Sequence, residues 1–287
     1  MTRKFSVLMS VYHKDDPSYF ETALNSLIQQ TVPPDEIVLV KDGPISEELE
    51  EVISTFHEKY NDLKIVEIKI NSGLGNALNE GLKYCRYDLV ARMDSDDISE
   101  PDRFEKQLAV FEADNTISIC GGWISEFEGN PTNILSYRRV PIEHADIIRM
   151  AHSMSPMNHV TVMFKKSDVM AVGSYMPFYQ FEDYYLWVRL IKAGFKFKNV
   201  PFILVNVRGG RDMASRRGGG KYIRTELKFQ SFLLKSGMIT HFEYLKNCAV
   251  RTTVRMLPNS LRSRVYTMIR LYQQSKPSCS CSDSSSL

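Results

Sequence analysis

The sequence predicts an α/β fold, in which a mixed, mostly parallel sheet has helices on both faces and a helical extension follows at the C-terminal end. In the first hundred residues, short apolar runs typical of buried strands alternate with segments whose apolar residues recur at helical spacing. Such alternation requires right-handed crossovers and places parallel strands side by side. Beyond residue 115 several extended segments follow one another, so the sheet should be mixed.

The first part of the chain supplies four predicted strands and four predicted helices. The strands are FSVLMSVY (5–12), EIVLVKDG (36–43), KIVEIKI (64–70) and YDLVARMD (87–94). The first of them lacks clean alternation, as expected of a strand that is buried on both faces. Helices are predicted after Asp16, after Ser46 and over residues 74–86. Ser99 and Asp102 have the spacing of a capping box for a fourth helix that ends at Phe111.

The second part begins with extended segments and ends with helices. The extended segments are ISICGGWIS (117–125), NILSYRRV (133–140), HVTVMFKK (159–166) and FKFKNVPFILVNV (195–207). A helix is predicted from Glu182 to Ala193, with Gly194 as its C-cap. Residues 221–274 are predicted to form three helical pieces, broken at 236–237 and 257–260. We therefore predict a domain over residues 1–210, a basic helical extension over 211–275 and a disordered tail over 276–287.

Composition excludes several classes of protein. The chain contains no apolar run of about 18 residues or more, so no helix that spans a bilayer is expected. Its short apolar start has charges on both sides, which is not the pattern of a signal peptide. Five cysteines without a CxxC pair favour free thiols in a reducing cytoplasm.

Charge is distributed unevenly along the chain. Residues 1–207 hold 21 Lys and Arg against 30 Asp and Glu, a balance of −9, whereas residues 208–276 hold 15 basic and 3 acidic residues, a balance of +12. The basic segment predicts an anionic partner, or else it packs against the acidic body. Nucleic acid is not favoured, because no helix-turn-helix, RRM or zinc pattern is present. Aromatic and basic residues interleaved at helical spacing favour a lipid surface instead.

The most acidic segment, DLVARMDSDDISEPD, places Asp94, Asp96 and Asp97 directly after the fourth strand. Like charges this close repel one another unless a cation or hydrogen-bond donors lie among them. Ligands of parallel sheets bind beyond the carboxyl ends of the strands. We therefore expect Asp94 and Asp96, on either side of the small Ser95, to bind one Mg²⁺ or Mn²⁺ ion that carries a diphosphate. The alternatives are a solvated acidic turn at a helix N-terminus and a phosphatase-type site with Asp94 as nucleophile.

Polar residues also follow the other predicted strands. Tyr12 offers a ring on which a base can stack, and Asp42 can accept from a base or sugar. The segment NSGLGNALNEG (71–81) lacks the third glycine of a dinucleotide fingerprint but allows close approach by one nucleotide. Glu182 and Asp183 begin a later helix. A carboxylate at a helix N-terminus is held rigidly and can act as a general base; the alternative is that it only caps the helix.

Six segments, in this order and spacing, resemble the motifs of inverting glycosyltransferases of family 2, which have the Rossmann-like GT-A fold. They are SVLMSVY, VKDG, NSGLGNALNEGL, ARMDSDDISEPDR, NHVTVMFKK and QFEDYYLWVRL, and the resemblance covers roughly residues 4–210. The tail is similar to the C-terminal part of bacterial enzymes that build capsule, exopolysaccharide or O-antigen repeat units. The resemblance implies metal-dependent transfer of a sugar from a nucleotide diphosphate donor, such as a UDP-sugar, to a saccharide or a polyprenyl-diphosphate-linked saccharide.

The resemblance also implies roles for single residues. Those that would bind the nucleotide sugar are Tyr12 and Asp42 at the base, Asn71 and Gly73 beside them, Asp94 at the ribose, Ser95, and Asp96 at the metal ion on the diphosphate. Asp183 would deprotonate the acceptor hydroxyl, and Glu182 would face the acceptor. Arg208 and Arg211 would meet the leaving diphosphate.

Two positions depart from the family pattern. Leu78 stands where many relatives have Arg, and Lys41 stands where relatives are often acidic, so one nucleotide contact is in question. Two other functions are compatible with the residues: a phosphatase or phosphotransferase that uses Asp94, and a non-catalytic subunit that binds a sugar nucleotide. We expect a cytoplasmic protein that is peripheral on the inner face of the cytoplasmic membrane.

Overall fold

The structure, a computed structural model, describes residues 3–209 and 220–256 of the 287-residue chain. Strands and helices alternate from Phe5 to Met93, as the sequence predicts. They are β1 (Phe5–Val11), α1 (Pro17–Ile28), β2 (Glu36–Asp42), α2 (Glu47–Lys59), β3 (Leu63–Ile68), α3 (Leu74–Tyr84) and β4 (Leu89–Met93). Side-chain caps begin two of these helices, with Asp16 accepting from two amides of α1 and Ser46 from one of α2.

The remaining elements complete the sheet and cover it. They are β5 (Ile98–Ser99), α4 (Arg103–Ala113), β6 (Ile117–Phe127), β7 (Ile134–Arg138), α5 (His144–Ala151), β8 (Met163–Lys165), α6 (Lys166–Ala171), α7 (Glu182–Lys192), β9 (Lys196–Arg208), α8 (Gly220–Lys235) and α9 (His241–Met256). The strand order is β3-β2-β1-β4-β8-β6-β9-β5, with β7 beside β6. β1 to β4 pair in parallel, as do β6 and β9, whereas β8 runs antiparallel between β4 and β6.

Alternate residues of the central strands point into two separate cores. Leu8, Val38 and Val90 pack on the face that carries α3, α7 and α8. Val7 and Ile37 pack on the opposite face, against α1, α2 and α4. Burial on both faces explains why the strands read as continuous apolar runs. This arrangement confirms the predicted fold class.

Two local predictions were wrong. Ser99 does not cap α4, because it belongs to β5, where its amide donates to Ser26 Oγ and its hydroxyl accepts from Gln30 Nε2 at 3.2 Å. The helix begins instead after Asp102, which makes no side-chain capping bond.

The segment 159–166 is not one strand. His159–Thr161 forms a 3₁₀ turn, only Met163–Lys165 pair in the sheet, and Lys166 already begins α6. Tertiary contacts decide this outcome, since Thr161 is fully buried and its carbonyl accepts from Gln107 of α4. The short helices α5 and α6 were not predicted.

The described part of the C-terminal extension consists of two helices, α8 and α9, that pack on the body of the protein. Phe229 of α8 is fully buried, and its ring centroid lies 4.5 Å from that of Tyr184 in α7 and 4.9 Å from that of Phe181. Gly237 has a φ of +67° in the turn between α8 and α9, where the break was predicted. The third predicted helical piece and the tail over 276–287 lie outside the described residues.

Two composition-based expectations can be compared with the described part of the chain. No helix there has both the length and the apolarity that crossing a membrane requires. Cys85, Cys120 and Cys248 are free thiols. Burial raises the pKa of the Cys85 and Cys120 thiols to about 12, so both are held in the protonated form.

The glycine at position 81 sets the distance between α3 and the sheet. A Cβ at this position would lie 2.5 Å from Leu8 Cδ1 and 2.5 Å from Val40 Cγ2, which are both buried. Alanine favours a helix over glycine by about 1 kcal/mol, but overpacking of a core costs about 1–3 kcal/mol. We therefore expect Gly81→Ala to lower the free energy of unfolding, measured by urea denaturation.

Gly220→Ala is the matched control, because Gly220 is also helical and a Cβ there would have no neighbour within 4 Å. This variant should be neutral or slightly more stable than the wild type. If both variants unfold at the same urea concentration, the close approach at Gly81 does not constrain the core.

Candidate active site

The predicted site residues collect at the carboxyl ends of β1, β2 and β4 and at the N-termini of α3 and α7. Parallel pairing brings the ends of β1, β2 and β4 to one edge of the sheet. At that edge, Tyr12 follows β1 and is 38% exposed, whereas Asp42 ends β2 and is 4% exposed. Asp94 follows β4.

Beneath the carboxylates lies a buried arginine. Arg92 of β4 is 2% exposed, and its Nη1 donates to Asp94 Oδ2 at 2.6 Å while its Nη2 contacts Asp94 Oδ1. The backbone carbonyl of Arg92 accepts from Arg103 Nη2 at 2.7 Å, which fixes the strand at this point. Both oxygens of Asp94 are therefore bound by a cation, which does not favour Asp94 as a phosphatase nucleophile.

Three further carboxylates surround this pair. Burial and the negative charges of Asp94 and Asp15 raise the pKa of Asp96 to about 6. Burial also raises the pKa of Asp97 well above its ordinary value, with Asp94 and Asp96 adding to the rise. Burial raises the pKa of Asp15, whose Oδ2 accepts from the Tyr12 amide at 3.0 Å and from Ser95 Oγ at 2.8 Å. Negative charge thus exceeds positive charge here, an arrangement that a divalent cation would relieve.

The donor set fits a hard cation that a substrate helps to coordinate. Carboxylate oxygens suit Mg²⁺ and Mn²⁺, which retain positions for water and phosphate oxygens. Within residues 3–209 and 220–256, no group of three or more His, Cys, Asp and Glu side chains could hold a metal ion alone. Since Arg92 binds Asp94, Asp96 is the better placed of the two predicted metal ligands.

Asp42 organises the loop that precedes α3. Its Oδ1 accepts from the Ser72 amide at 2.7 Å, its Oδ2 accepts from the Gly73 amide at 2.9 Å, and its carbonyl accepts from Asn71 Nδ2 at 3.0 Å. Gly43 has a φ of +87°, and a Cβ there would lie 2.7 Å from the Asn71 backbone nitrogen. The predicted donor residues Asp42, Asn71 and Gly73 therefore form one hydrogen-bonded unit, and their contacts with a base stay a prediction.

The second acidic pair begins α7. Asp183 Oδ2 accepts from Ser155 Oγ at 3.4 Å, and the Ser155 carbonyl accepts from Arg138 Nη2 at 2.6 Å. Burial raises the pKa of Asp183, although the Tyr184 amide and the charges of Arg138 and Arg92 act in the opposite direction. A raised pKa makes the ionised carboxylate a stronger base, which suits it to accept a proton.

The N-termini of α3 and α7 meet beside this pair. A Cβ on Gly75 would lie 3.3 Å from Cγ of Glu182, so only a small residue allows this approach. Burial raises the pKa of Glu182, with Asp183 adding to the rise. The helix that follows the loop held by Asp42 is therefore next to Glu182, the predicted acceptor residue beside Asp183.

Arg208 lies at the other side of the carboxylate cluster. Its amide donates to Asp97 Oδ1 at 2.8 Å, its Nε donates to the Asp96 carbonyl at 3.1 Å, and its guanidinium lies 3.6 Å from the ring centroid of Tyr19. Arg208 is thus close to the predicted diphosphate site but is occupied with the loop itself. Arg211 lies outside the described residues.

Comparison with known proteins identifies the family. The sequence profile of glycosyl transferase family 2 matches residues 6–184, more than half of the chain. The chain belongs to this family. The resemblance seen in the sequence motifs is therefore confirmed, and the protein is a glycosyltransferase.

Several curated relatives match this glycosyltransferase over nearly their whole length. The UDP-Gal:alpha-D-GlcNAc-diphosphoundecaprenol beta-1,3-galactosyltransferase of Escherichia coli is 38% identical, over 93% of this chain and 97% of its own. The amylovoran biosynthesis glycosyltransferase AmsE of Erwinia amylovora is 40% identical, over 91% and 97%. An uncharacterized glycosyltransferase of Haemophilus influenzae is 43% identical, over 92% and 97%.

Among solved structures, S. aureus TarS 1-349 in complex with UDP-GlcNAc is similar to this glycosyltransferase, with a TM-score of 0.62 and 20% sequence identity. The match covers 87% of this chain and 71% of that one. At this level of identity the likeness concerns the fold, and it agrees with the predicted GT-A class.

The two residues that depart from the family pattern, Leu78 and Lys41, both contact other parts of this glycosyltransferase. Leu78 is fully buried in the core beneath α3. Lys41 Nζ bonds Glu67 Oε1 at 2.8 Å and also contacts Glu50. Both residues are therefore part of the scaffold in this chain.

Sequence reasoning missed the residues that hold the segment before α7. Asn79 of α3 accepts from the Ser174 hydroxyl and from the Tyr175 amide at 2.9 Å, and Arg189 Nη2 donates to the Ser174 carbonyl at 2.5 Å. Ser174 and Gln180 have φ values of +56° and +63°, which are uncommon for residues other than glycine. Backbone strain of this kind clusters next to functional sites.

The raised pKa of Asp183 gives a prediction for stability. A carboxylate whose pKa is higher in the folded than in the unfolded state stabilises the fold below the unfolded pKa, and this contribution is lost as pH rises through the folded pKa. Asn keeps the shape of the side chain but does not titrate. We therefore expect the stability of Asp183→Asn relative to the wild type, measured by urea denaturation, to increase from about pH 4 to pH 8.

The control is Asp146→Asn, at an exposed ion pair with Arg149. Exposed pairs of this kind contribute little to stability, so its difference from the wild type should change less with pH. A stability difference for Asp183→Asn that falls with rising pH would contradict the prediction.

Proposed function

We propose that this glycosyltransferase moves a sugar from a UDP-sugar to a hydroxyl of a saccharide carried on a polyprenyl diphosphate, with inversion at the anomeric carbon, during synthesis of a surface polysaccharide. The observation that carries the proposal is the position of Arg92. Its charge acts on Asp94 and Asp96 and on Asp183. These residues mark the two ends of the region between the Asp94–Asp97 loop and the N-terminus of α7, which we call the cleft. A donor-binding and an acceptor-activating group therefore lie within reach of one buried cation.

The names of two relatives support the choice of substrates. The Escherichia coli relative is named for UDP-galactose as donor and a diphosphoundecaprenol-linked sugar as acceptor, and the Erwinia relative for amylovoran biosynthesis. The match over nearly the full length of each includes the C-terminal extension. A UDP-hexose and a lipid-linked sugar are therefore the first substrates to test.

On the donor side, the protein holds the nucleotide by its strand ends. Tyr12 presents an exposed ring for the uracil base, and Asp42 keeps the Asn71–Gly73 loop in place beside it. Asp94 lies where a ribose would follow, fixed by Arg92. This arrangement orients the donor so that its anomeric carbon faces α7.

A Mn²⁺ or Mg²⁺ ion, held by Asp96 with the support of Asp94, would neutralise charge on the diphosphate as it leaves. Arg208 lies on the opposite side of the loop, and its bonds to the Asp96 carbonyl and the Asp97 carboxylate hold Asp96 in position. The crowding of Asp15, Asp96 and Asp97 without a matching charge favours a bound cation.

On the acceptor side, Asp183 takes the proton of the acceptor hydroxyl. The oxygen attacks the anomeric carbon, the bond from that carbon to the diphosphate oxygen breaks, and its electron pair leaves with UDP. Ser155 Oγ orients the Asp183 carboxylate from one side. Glu182, beside Gly75, faces the bound acceptor.

The acceptor also determines where the enzyme works. A saccharide on a polyprenyl diphosphate stays in the membrane, so the enzyme must come to the cytoplasmic face. The balance of +12 over residues 208–276 favours such peripheral binding to anionic lipid.

The metal site can be tested by calorimetry with UDP and Mn²⁺. We expect Asp96→Ala to abolish the part of UDP binding that EDTA removes, because the cation loses its principal protein ligand. Asp102→Ala is the control, since Asp102 is a nearby carboxylate that pairs with Lys106 outside the cleft. Tight UDP binding by Asp96→Ala that EDTA does not affect would contradict the assignment.

The base can be tested by turnover with a UDP-hexose and a lipid-linked sugar acceptor. We expect Asp183→Asn to lower kcat by roughly 10²–10⁴-fold with donor affinity little changed, as for loss of a general base. Glu182→Gln serves as the comparison, because it removes the neighbouring charge and should mainly raise the KM of the acceptor. Near wild-type turnover by Asp183→Asn would assign the base to another group.

A further inference from the structure

Helix α9 has its polar side turned towards the protein. Asn247 is 8% exposed and donates to the His152 carbonyl at 2.9 Å and to Gln230 Oε1 at 3.1 Å. Arg251 Nη1 donates to Glu226 Oε1 at 2.7 Å. The inner face of α9 is therefore held mainly by hydrogen bonds and an ion pair, and Tyr244 packs against the core beside them.

The outer face of α9 carries the apolar residues. Phe242 is 77% exposed, Leu245 65%, Val250 56% and Met256 73%. With the exposed Ala249 between them, their spacing places them on one side of the helix. We call Phe242, Leu245, Ala249, Val250 and Met256 the α9 stripe. Large apolar side chains exposed on one side of a helix in this way are the pattern of an interaction surface.

The charges around the stripe favour an anionic partner. Residues 220–256 contain seven Lys and Arg against only Glu226 and Glu243. Both acidic side chains make inward contacts, Glu226 with Arg251 and Glu243 with the His152 ring at 3.0 Å. The Glu226 side chain is buried and that of Glu243 is 34% exposed, while Lys246 lies among the exposed residues of α9.

The inner face of α9 is connected to the catalytic side of the cleft. Arg251 Nη2 contacts the Ser153 carbonyl, and Asn247 bonds the carbonyl of the preceding residue, His152. Ser155, two residues after Ser153, donates from its Oγ to Asp183 Oδ2. One short segment thus joins the helix that carries the stripe to the carboxylate that we assign as base.

We propose that the α9 stripe inserts into the surface of an anionic bilayer and fixes the distance between the lipid surface and Asp183. The proposal rests on the proposed function for the nature of the acceptor and adds to it the docking element. A helix with apolar side chains outward and a lysine, Lys246, beside them is suited to lie in the interface. Contacts through residues 152–155 then hold the acceptor side of the cleft next to the leaflet.

The test is sedimentation with vesicles of phosphatidylglycerol and phosphatidylcholine and with vesicles of phosphatidylcholine alone, at low and high salt. The full-length protein should bind the anionic vesicles in a salt-sensitive way. Leu245→Glu and Phe242→Glu should each weaken this binding by about tenfold or more, since each removes apolar contact and adds a negative charge. The matched control is Leu135→Glu on β7, whose leucine is 52% exposed and is not part of the α9 stripe; it should bind as the wild type does.

Three outcomes would overturn the proposal. Unchanged vesicle binding by both stripe variants would mean that other residues hold the lipid. A wild-type dimer that becomes a monomer in Leu245→Glu, without vesicle binding, would mean that a second copy covers the stripe. Vesicle binding that appears only after truncation behind Met256 would mean that residues 257–287 cover it.

Turnover of the wild type with a water-soluble, short-chain acceptor tests the proposed function separately. Vesicle binding without turnover would support the docking surface and contradict the assignment of the acceptor. Turnover without vesicle binding would support the proposed sugar transfer and contradict the docking of the α9 stripe on a bilayer.

Discussion

The ion pair between Arg92 and Asp94 is the interaction on which the site depends. A guanidinium buried in a central strand would be costly without a partner, and Asp94 at the end of the same strand supplies one. The pair fixes the direction in which the chain leaves β4 and so the positions of Asp96 and Asp97. Its charge also reaches Asp183, so the two ends of the cleft share one electrostatic centre.

Around the Arg92–Asp94 pair, polar side chains mainly form hydrogen bonds with the backbone of loops. Asp42 binds the loop before α3, Asn79 binds the turn at Ser174, and Arg138 binds the segment that carries Ser155. Each of these residues satisfies backbone groups that would otherwise be buried without partners. The loops at the carboxyl edge of the sheet are therefore held by side-chain hydrogen bonds where regular secondary structure is absent.

Local patterns in the sequence predict most of the fold. The spacing of the apolar residues, the helix caps and the glycines predict the strands β1 to β4 and the helices between them. The order and spacing of the six motifs predict the family. Ser99 and the segment 159–166 were mispredicted, because partners distant in sequence, Gln30 and Gln107, decide their conformation. For the same reason the sequence names Asp94, Asp96 and Asp183 as site residues but gives no sign of Asp15, Arg138 or Ser155. The sequence also does not show that Asp42 holds the loop before α3, because this role depends on the backbone geometry at Gly43.

The attachment of Arg208 to the acidic loop has a thermodynamic consequence. β9 ends at this residue, and from there the chain leads to α8 and the extension. A ligand that rearranges the Asp96–Asp97 loop changes the contacts of Arg208 and therefore the position from which the extension starts. Coupling free energy is reciprocal, so whatever restrains the extension alters the affinity of the cleft for that ligand by the same factor. A restraint on the end of β9 and the binding of such a ligand are, in this sense, two sides of a single equilibrium.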